Sequence, residues 1–445
     1  MIKYTRFLLT LLFSAVIVFA ANAQSTTSSP YSRFGLGDIS PQSTAQSLGT
    51  GGIGVATNRI SLFNNINFLN PASYAALSLT TIDVGIYSNF STLNQTGQTS
   101  QSNKNFRLSH IAFGIPVSKH SAFSFGLLPY SERGYNYKKS VSSLGTSSPV
   151  DTNTTNYTYN GDGGLSKAYI GYGFTVAKHL LIGGNVSYIF GNLKDNTTTE
   201  TPGLAGFLNT KIEQTNAIGG LNYDYGLQYS IDLSETKHVI LGYSASAGSK
   251  LNSQSSFIVS HYTNDANGNP NIAVDSVINK QGASVKLKLP QINRFGVSFQ
   301  NDGKFLIGAD YSMGQWSNYS IDGQTQGSAN SSTRLVNSRT INVGAQITPN
   351  IGTIRNYLAT VDYRIGGIYD ETYMVVSNTR IKRVAVTAGF GLPLRPNNGS
   401  FYKINFSAEV GKRGTLANGL VKENYVNLHL GFTLNDRWFT KYKFD

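Results

Sequence analysis

Six histidines, His110, His120, His179, His238, His261 and His429, are the side chains best suited to acid–base or metal chemistry in this chain. Their surroundings offer little support for either. There is no HExxH, no GxSxG and, with Cys absent, no CxxC, so the signatures of metalloprotease, serine hydrolase and thiol chemistry are missing. His120, His179 and His238 fall at tight turns, where a solvated imidazole is the ordinary outcome. One hydrolytic arrangement stays open, a lipase-type triad of His429 with a Ser and an Asp from facing strands. The run from Asp265 to Asn269 opens like a calcium loop, but Gly268 is misplaced, Pro270 follows, and the twelfth position is Ser276 instead of Glu. The expectation is therefore no enzyme, no bound metal and no other cofactor.

Charged groups and one proline remain as candidates, and they matter only through the strands that carry them. The stretch Phe106 to Tyr137 sets the pattern. Ile111, Phe113 and Ile115 alternate with His110, Ala112 and Gly114. After a turn at 118–121, Phe123, Phe125 and Leu127 alternate with Ser124, Gly126 and Leu128. Period two with one apolar face predicts half-buried strands. The same alternation recurs to the C-terminus, as in Ile170, Tyr172, Phe174 and Val176, and in Val426, Leu428, Leu430 and Phe432. About fourteen strands are expected, at 77–90, 104–117, 121–137, 164–177, 180–193, 216–232, 238–252, 282–300, 304–319, 335–348, 355–369, 379–394, 400–413 and 424–440. Each can cross a bilayer at a tilt, which takes about 9–11 residues. Short turns alternate with long Ser/Thr/Asn/Gly-rich loops at 138–163, 194–215, 253–281 and 320–334. A sandwich gives no reason for that alternation, whereas a transmembrane barrel does. The fold class is all-β, a transmembrane β-barrel of about fourteen antiparallel strands (77–445).

The leader agrees. Residues 1–23 combine Lys3 and Arg6, an apolar run from Phe7 to Ala20 and the small-x-small site Ala21-Asn22-Ala23, a cleavable signal peptide too short to span a membrane comfortably. No Cys follows it, so a lipoprotein anchor is not expected. Charged residues make up only 13% of the chain while Tyr and Phe number 26 and 24, as suits a sheet that alternates residue by residue. Without Cys there are no disulfides, and the fold must close by backbone pairing. The formal charge of +13 falls by two, for Lys3 and Arg6, to +11. The basic residues are scattered and form no stripe, so outer-membrane lipid and lipopolysaccharide are the expected counter-charges, not nucleic acid. The expected location is the outer membrane of a Gram-negative cell, with both termini periplasmic and the chain a monomer.

Residues 24–76 are not strand-like. They hold SSPYSRFGLGDIS and then Phe63, Ile66, Phe68 and Leu69 before Asn70-Pro71-Ala72. The segment is too short for its own core, and its apolar content favours a plug inside the barrel lumen over a disordered periplasmic leader. On the inward face, Asp83, Lys167, Asp224, Arg294, Asp310, Asp362, Arg364, Arg383, Lys403 and Glu409 alternate in sign between neighbouring strands. They could form a polar track for solutes; mutual pairing and pairing with the plug fits the alternation better. Pro129 cannot donate to a ladder, so it marks a bulge or breaks the wall beside Gly126 and Gly134.

These residues carry a resemblance. Asn70-Pro71-Ala72 after a plug-like segment, the block Ile115 to Tyr137 and the block Leu289 to Ser317 resemble the FadL-type outer-membrane family. In that family the third strand is kinked at a Pro-aromatic-Gly; here Pro129-Tyr130 is followed by Ser131. The resemblance implies passive uptake of hydrophobic small molecules, of fatty-acid or aromatic-hydrocarbon type, leaving laterally beside the kink. Phe63, Phe68, Pro71 and Tyr74 on the plug and Gly126, Leu128, Pro129 and Tyr130 at the kink are the expected binding or gating residues. Some relatives of this family serve protein secretion, so a docking or structural role in an outer-membrane secretion or assembly system is the alternative.

Overall fold

The computed structural model describes residues 27–58, 63–142, 154–202, 208–265, 271, 274–325, 332–353, 355–395 and 400–438. The leader, most of the Asp265–Asn269 loop and the turn at 396–399 lie outside them. Fourteen antiparallel staves make one closed barrel. In chain order they are β1 Thr80–Asn94, β2 Gln101–Ser118, β3 Ser121–Glu132 resuming as Tyr135–Ser142, β4 Thr154–Ala177 and β5 Leu180–Glu200. Then come β6 Asn209–Asp232, β7 Lys237–Ser246 resuming as Lys250–Tyr262, β8 Asp275–Lys288 resuming as Ile292–Asn301, and β9 Phe305–Gly314. The last five are β10 Ser338–Ile347, β11 Asp362–Val376, β12 Thr379–Pro393, β13 Phe401–Gly414 and β14 Lys422–Asp436. The first and last staves pair from Thr80↔Asp436 to Asn94↔Lys422, so the sheet meets itself and has no edge there.

The alternation read in the sequence is the inside–outside code. Ile170, Tyr172, Phe174 and Val176 on β4 and Leu221, Tyr223, Tyr225 and Leu227 on β6 are exposed on the outer wall, while Tyr169, Asn222 and Gln228 between or beside them are buried. An outer face this apolar is stable in lipid and in few other places. Heights differ around the barrel. β4 and β6 run 24 residues each, against 15 for β11 and 14 for β13. Much of what reads as loop at 138–163, 194–215 and 253–281 is strand that continues above the apolar band. There Ser, Thr, Asn and Lys stand on both faces in place of the apolar outer residues, and the period-two signal vanishes.

Residues 27–58 and 63–76 pack inside the barrel. Ser29 caps a 3-10 helix at Pro30–Arg33 and Thr44 caps the short helix α1, Ala45–Gly49. Asn70 caps the 3-10 helix Pro71–Ala76, with Pro71 at its first position. Where this backbone comes nearest to the wall, the wall residue is glycine. A Cβ on Gly344 of β10 would collide with the Thr50 carbonyl, and one on Gly183 of β5 with the backbone of Pro71. Gly183→Val is therefore expected to displace Pro71–Ala76 and lower stability by about 1–3 kcal/mol. The adjacent Gly184, whose added Cβ would meet nothing nearer than 3.6 Å, should tolerate valine. Limited proteolysis of the two purified variants, with mass spectrometry of the N-terminal fragments, separates them.

Candidate functional site

The wall divides where Pro129 interrupts β3. β2 and β3 pair from Ser118↔Ser121 up to Ile111↔Leu127 and no further. Beyond Leu127, β3 keeps its ladder with β4, but with a bulge between Pro129↔Ser166 and Ser131↔Leu165. Its other side is taken over from within. Asp38 and Ile39 form a two-residue strand against Glu132 and Ser131. Ser40 N–H donates to the Tyr130 carbonyl at 3.0 Å and Gln42 Nε2 to the Pro129 carbonyl at 3.0 Å. The gap left by β2 is thus occupied by the chain's own N-terminal segment.

Charged side chains fasten that strand from both sides. Arg107 of β2 reaches across the gap, pairing with Glu132 of β3 and donating to Ser40 Oγ at 3.0 Å, its guanidinium 4.5 Å over the Tyr87 ring. Arg413 of β13 binds Asp38 Oδ1 at 2.9 Å and Glu423 Oε2 at 2.8 Å and donates to Ser29 Oγ. Ser29 in turn donates to Glu423. Tyr31 donates to the Val421 carbonyl at 2.5 Å. Burial, with the Glu423 charge adding, pushes its phenol up to about 12, so it remains a donor at neutral pH.

Lower in the lumen the wall presents polar groups to the segment's backbone. Asp310 accepts from Gly54 N–H at 2.7 Å and Val55 N–H at 2.9 Å. Asn70 donates to the carbonyls of Val55, Leu227 and Tyr243 at 2.7, 3.1 and 3.3 Å. The inward charges also pair with each other. Lys167 meets Asp224 at 2.6 Å, Arg383 meets Glu409 at 3.5 Å, and Asp362 holds Arg364 at 2.6 Å as well as Lys403.

Among the described residues His429 meets no Ser or Asp, and neither ring nitrogen has a hydrogen-bond partner; the ring packs on Tyr87 at 4.8 Å. An Asp–His–Ser arrangement occurs instead at His110, whose Nε2 lies 2.5 Å from Asp83 and whose Nδ1 lies 3.2 Å from Ser109. It is buried, with Phe68 edge-on against the ring at 5.1 Å, and ties wall to segment.

The eight residues expected at the site fall in three places. Phe68, Tyr74 and Leu128 belong to one packed cluster with Ile66, Leu77 and Tyr169, while Pro71 sits against Gly183 and Gly226 close by and Gly126 against Ala112 on β2. Phe63 lies apart, edge-on to Phe401 at 6.2 Å with the Lys403 ammonium 4.6 Å from its ring. Pro129 and Tyr130 stand at the division, Tyr130 buried in a second apolar cluster with Tyr31, Leu165, Trp316 and Tyr373. Cavities of mixed lining lie between segment and wall. One of about 270 Å³ is bordered by Arg294, Asp310, Asp370, Arg383, Glu409 and Arg413 and by apolar side chains such as Leu48, Val55, Leu69, Ile292, Ile368 and Met374. Another of about 110 Å³, at the division, is bordered by Tyr87, Arg107, Glu132 and His429. Asp38, Arg107, Glu132, Arg413 and Glu423 were not singled out from the sequence. Arg413 could have been, since it continues the inward series Lys403, Asn405, Ser407, Glu409 past Gly411.

The whole chain, residues 1–445, matches the family model described as BamG. The chain belongs to the BamG family. No curated protein matches it. Among solved structures, the toluene transporter TbuX of Ralstonia pickettii is similar at 16% identity and TM-score 0.55, over 91% of this chain and 100% of that one. The toluene transporter TodX of P. putida is similar at 13% identity and TM-score 0.57, over 90% and 100%. A FadL homologue of Pseudomonas aeruginosa gives 11% and 0.56, over 90% and 99%. These likenesses establish that the BamG-family chain has the FadL-type barrel fold, as its motifs led one to expect, and at such identities they speak of fold alone.

Proposed function

We propose that this BamG-family barrel is a docking component of an outer-membrane secretion or assembly system, a plugged scaffold that works through its wall, rim and loops. One observation carries the reading. Residues 27–58 and 63–76 are fastened to the wall by buried ionic and hydrogen bonds, and the cavity of about 270 Å³ beside them has six charged side chains, Arg294, Asp310, Asp370, Arg383, Glu409 and Arg413, in its lining. An apolar ligand in that cavity would strand those six charged groups without water, even though apolar side chains also line it. In this reading residues 24–76 are the plug, residues 1–23 are removed on export, and outer-membrane lipid and lipopolysaccharide neutralise the basic excess.

The test is gentle extraction of the chain from its native membrane. A partner should co-elute at a fixed stoichiometry, and deletion should leave the uptake rate of toluene and long-chain fatty acids unchanged. Elution as a lone monomer together with slowed uptake would overturn the proposal. A second reading, passive uptake of hydrophobic small molecules with lateral exit, is favoured by the division of the wall at Pro129 and by the similar folds of toluene transporters and a monoaromatic hydrocarbon channel. It requires the Asp38–Ile39 strand to leave the gap, and it assigns Phe63, Phe68, Pro71, Tyr74, Gly126, Leu128, Pro129 and Tyr130 to the ligand's path. On this reading Pro129→Val should slow uptake; on the docking reading it should not.

A further inference from the structure

The division beside Pro129 does not end where the Asp38–Ile39 strand ends. Above it, β2 keeps only its β1 ladder over Gln101–His110, and the resumed part of β3, Tyr135–Ser142, pairs only with β4, from Tyr135↔Gly161 to Ser142↔Thr154. Among the described residues, two strand edges therefore face each other across a notch at the loop-bearing end of the barrel. At its foot, Thr27 lies against Gly134, and Ser32 exchanges hydrogen bonds with the Gly134 carbonyl and N–H at 2.9 and 3.0 Å. The foot is already filled by a strand, Asp38–Ile39, on the same side of β3. Among the described residues the upper edge has no strand paired to it; Arg33 donates to the Tyr137 hydroxyl, and Asn136, Lys138, Lys139, Ser140 and Ser142 are exposed.

We infer that this notch is a β-augmentation site: an extended acidic segment of a partner protein adds to the free edge of Tyr135–Ser142, continuing upward the pairing that Asp38–Ile39 begins. The inference rests on the docking reading and names where the partner binds. Two observations commit it to an acidic occupant. Neither edge, 101–110 or 134–142, carries a carboxylate, while the second carries Lys138 and Lys139. Arg107 is satisfied by Glu132, but Lys138 and Lys139 form no ion pair among the described residues. Main-chain hydrogen bonds would supply the affinity and the lysines the choice of sequence. Lysines on an edge also discourage pairing between like copies, which leaves an oppositely charged strand as the partner that fits.

The test uses the full-length chain in detergent and two synthetic decapeptides, alternating Thr-Glu and alternating Thr-Lys. Amide hydrogen exchange is followed over 135–142. The Thr-Glu peptide should slow exchange there at least tenfold, the Thr-Lys peptide should not, and the K138E/K139E double variant should lose the effect while its β4–β6 amides keep their protection. Absence of slowing, equal slowing by both peptides, or slowing confined to another strand would overturn the proposal. A chain that binds the peptide in the notch yet yields no partner from its native membrane would instead overturn the docking reading and leave the notch standing.

Discussion

Arg413→Ala is expected to unlatch the first part of the N-terminal segment and turn a silent barrel into a leaky one. Arg413 holds Asp38 at 2.9 Å and Glu423 at 2.8 Å, and also bonds Ser29. Its side chain is 14% exposed and that of Glu423 is 7% exposed. Alanine leaves two carboxylates facing each other with little water to separate them. Removing one partner of a buried ion pair costs about 3–5 kcal/mol, chiefly because the survivor is left uncompensated. At about 1.4 kcal/mol per tenfold, the detached population rises by roughly 10²–10⁴. Planar-bilayer recording should show ion conductance in the variant and little in the parent, and proteolysis at Arg33 should accelerate in step. Arg413→Lys keeps the charge but loses the fork that engages two carboxylates, so it should fall between. A variant as silent and as resistant as the parent would show that this network is not a latch.

The second large effect is expected at Asp362. Its carboxylate receives Arg364 Nη2 at 2.6 Å, Thr348 Oγ1 at 2.7 Å and the Lys403 ammonium, with all three charged side chains at most 1% exposed. Asp362→Ala strands two cations in the lumen at once and is expected to lower stability by about 3–5 kcal/mol or prevent closure of the barrel. The readout is the urea midpoint of refolded protein in detergent, together with the heat-dependent gel mobility that marks a closed barrel. Arg364 also donates to Gln346 at 2.7 Å and Asn405 at 2.9 Å, so it has partners that survive the change. Asp362→Asn combined with Lys403→Met, which removes one charge of each sign, should therefore recover more than half of the loss. A midpoint unchanged in the single alanine variant would show that the trio is not a structural lock.

The barrel was legible because period two survives wherever one face meets lipid. All fourteen staves were expected in order, and the inward parity that picked out Asp83, Lys167, Asp310, Asp362 and Lys403 is the parity of the lumen. What failed to show had one physical cause: no local pattern encodes it. The tops of β4 to β8 carry polar residues on both faces, so their pairing leaves no apolar alternation. The start of β11 was set at 355, but Tyr357–Thr360 is a 3-10 turn and the stave begins at Asp362. The two-residue strand Asp38–Ile39 is too short to register, and its fastening to Arg413 joins residues 375 apart in the chain. Pro129 did mark the place where the wall divides. That the gap would be filled from inside could not be read from a proline.

The uneven heights of the staves have a consequence of their own. At about 3.3 Å per residue and a tilt near 40°, 24-residue staves rise roughly 60 Å, and those of 14 or 15 residues roughly 35–40 Å. The molecule thus has a front and a back within the plane of the membrane, a tall parapet over one arc and a low sill over the other. A neighbour approaching along the bilayer meets a different profile from each compass direction, so a partner that contacts the wall above the apolar band has more strand to meet on the tall arc than on the low one.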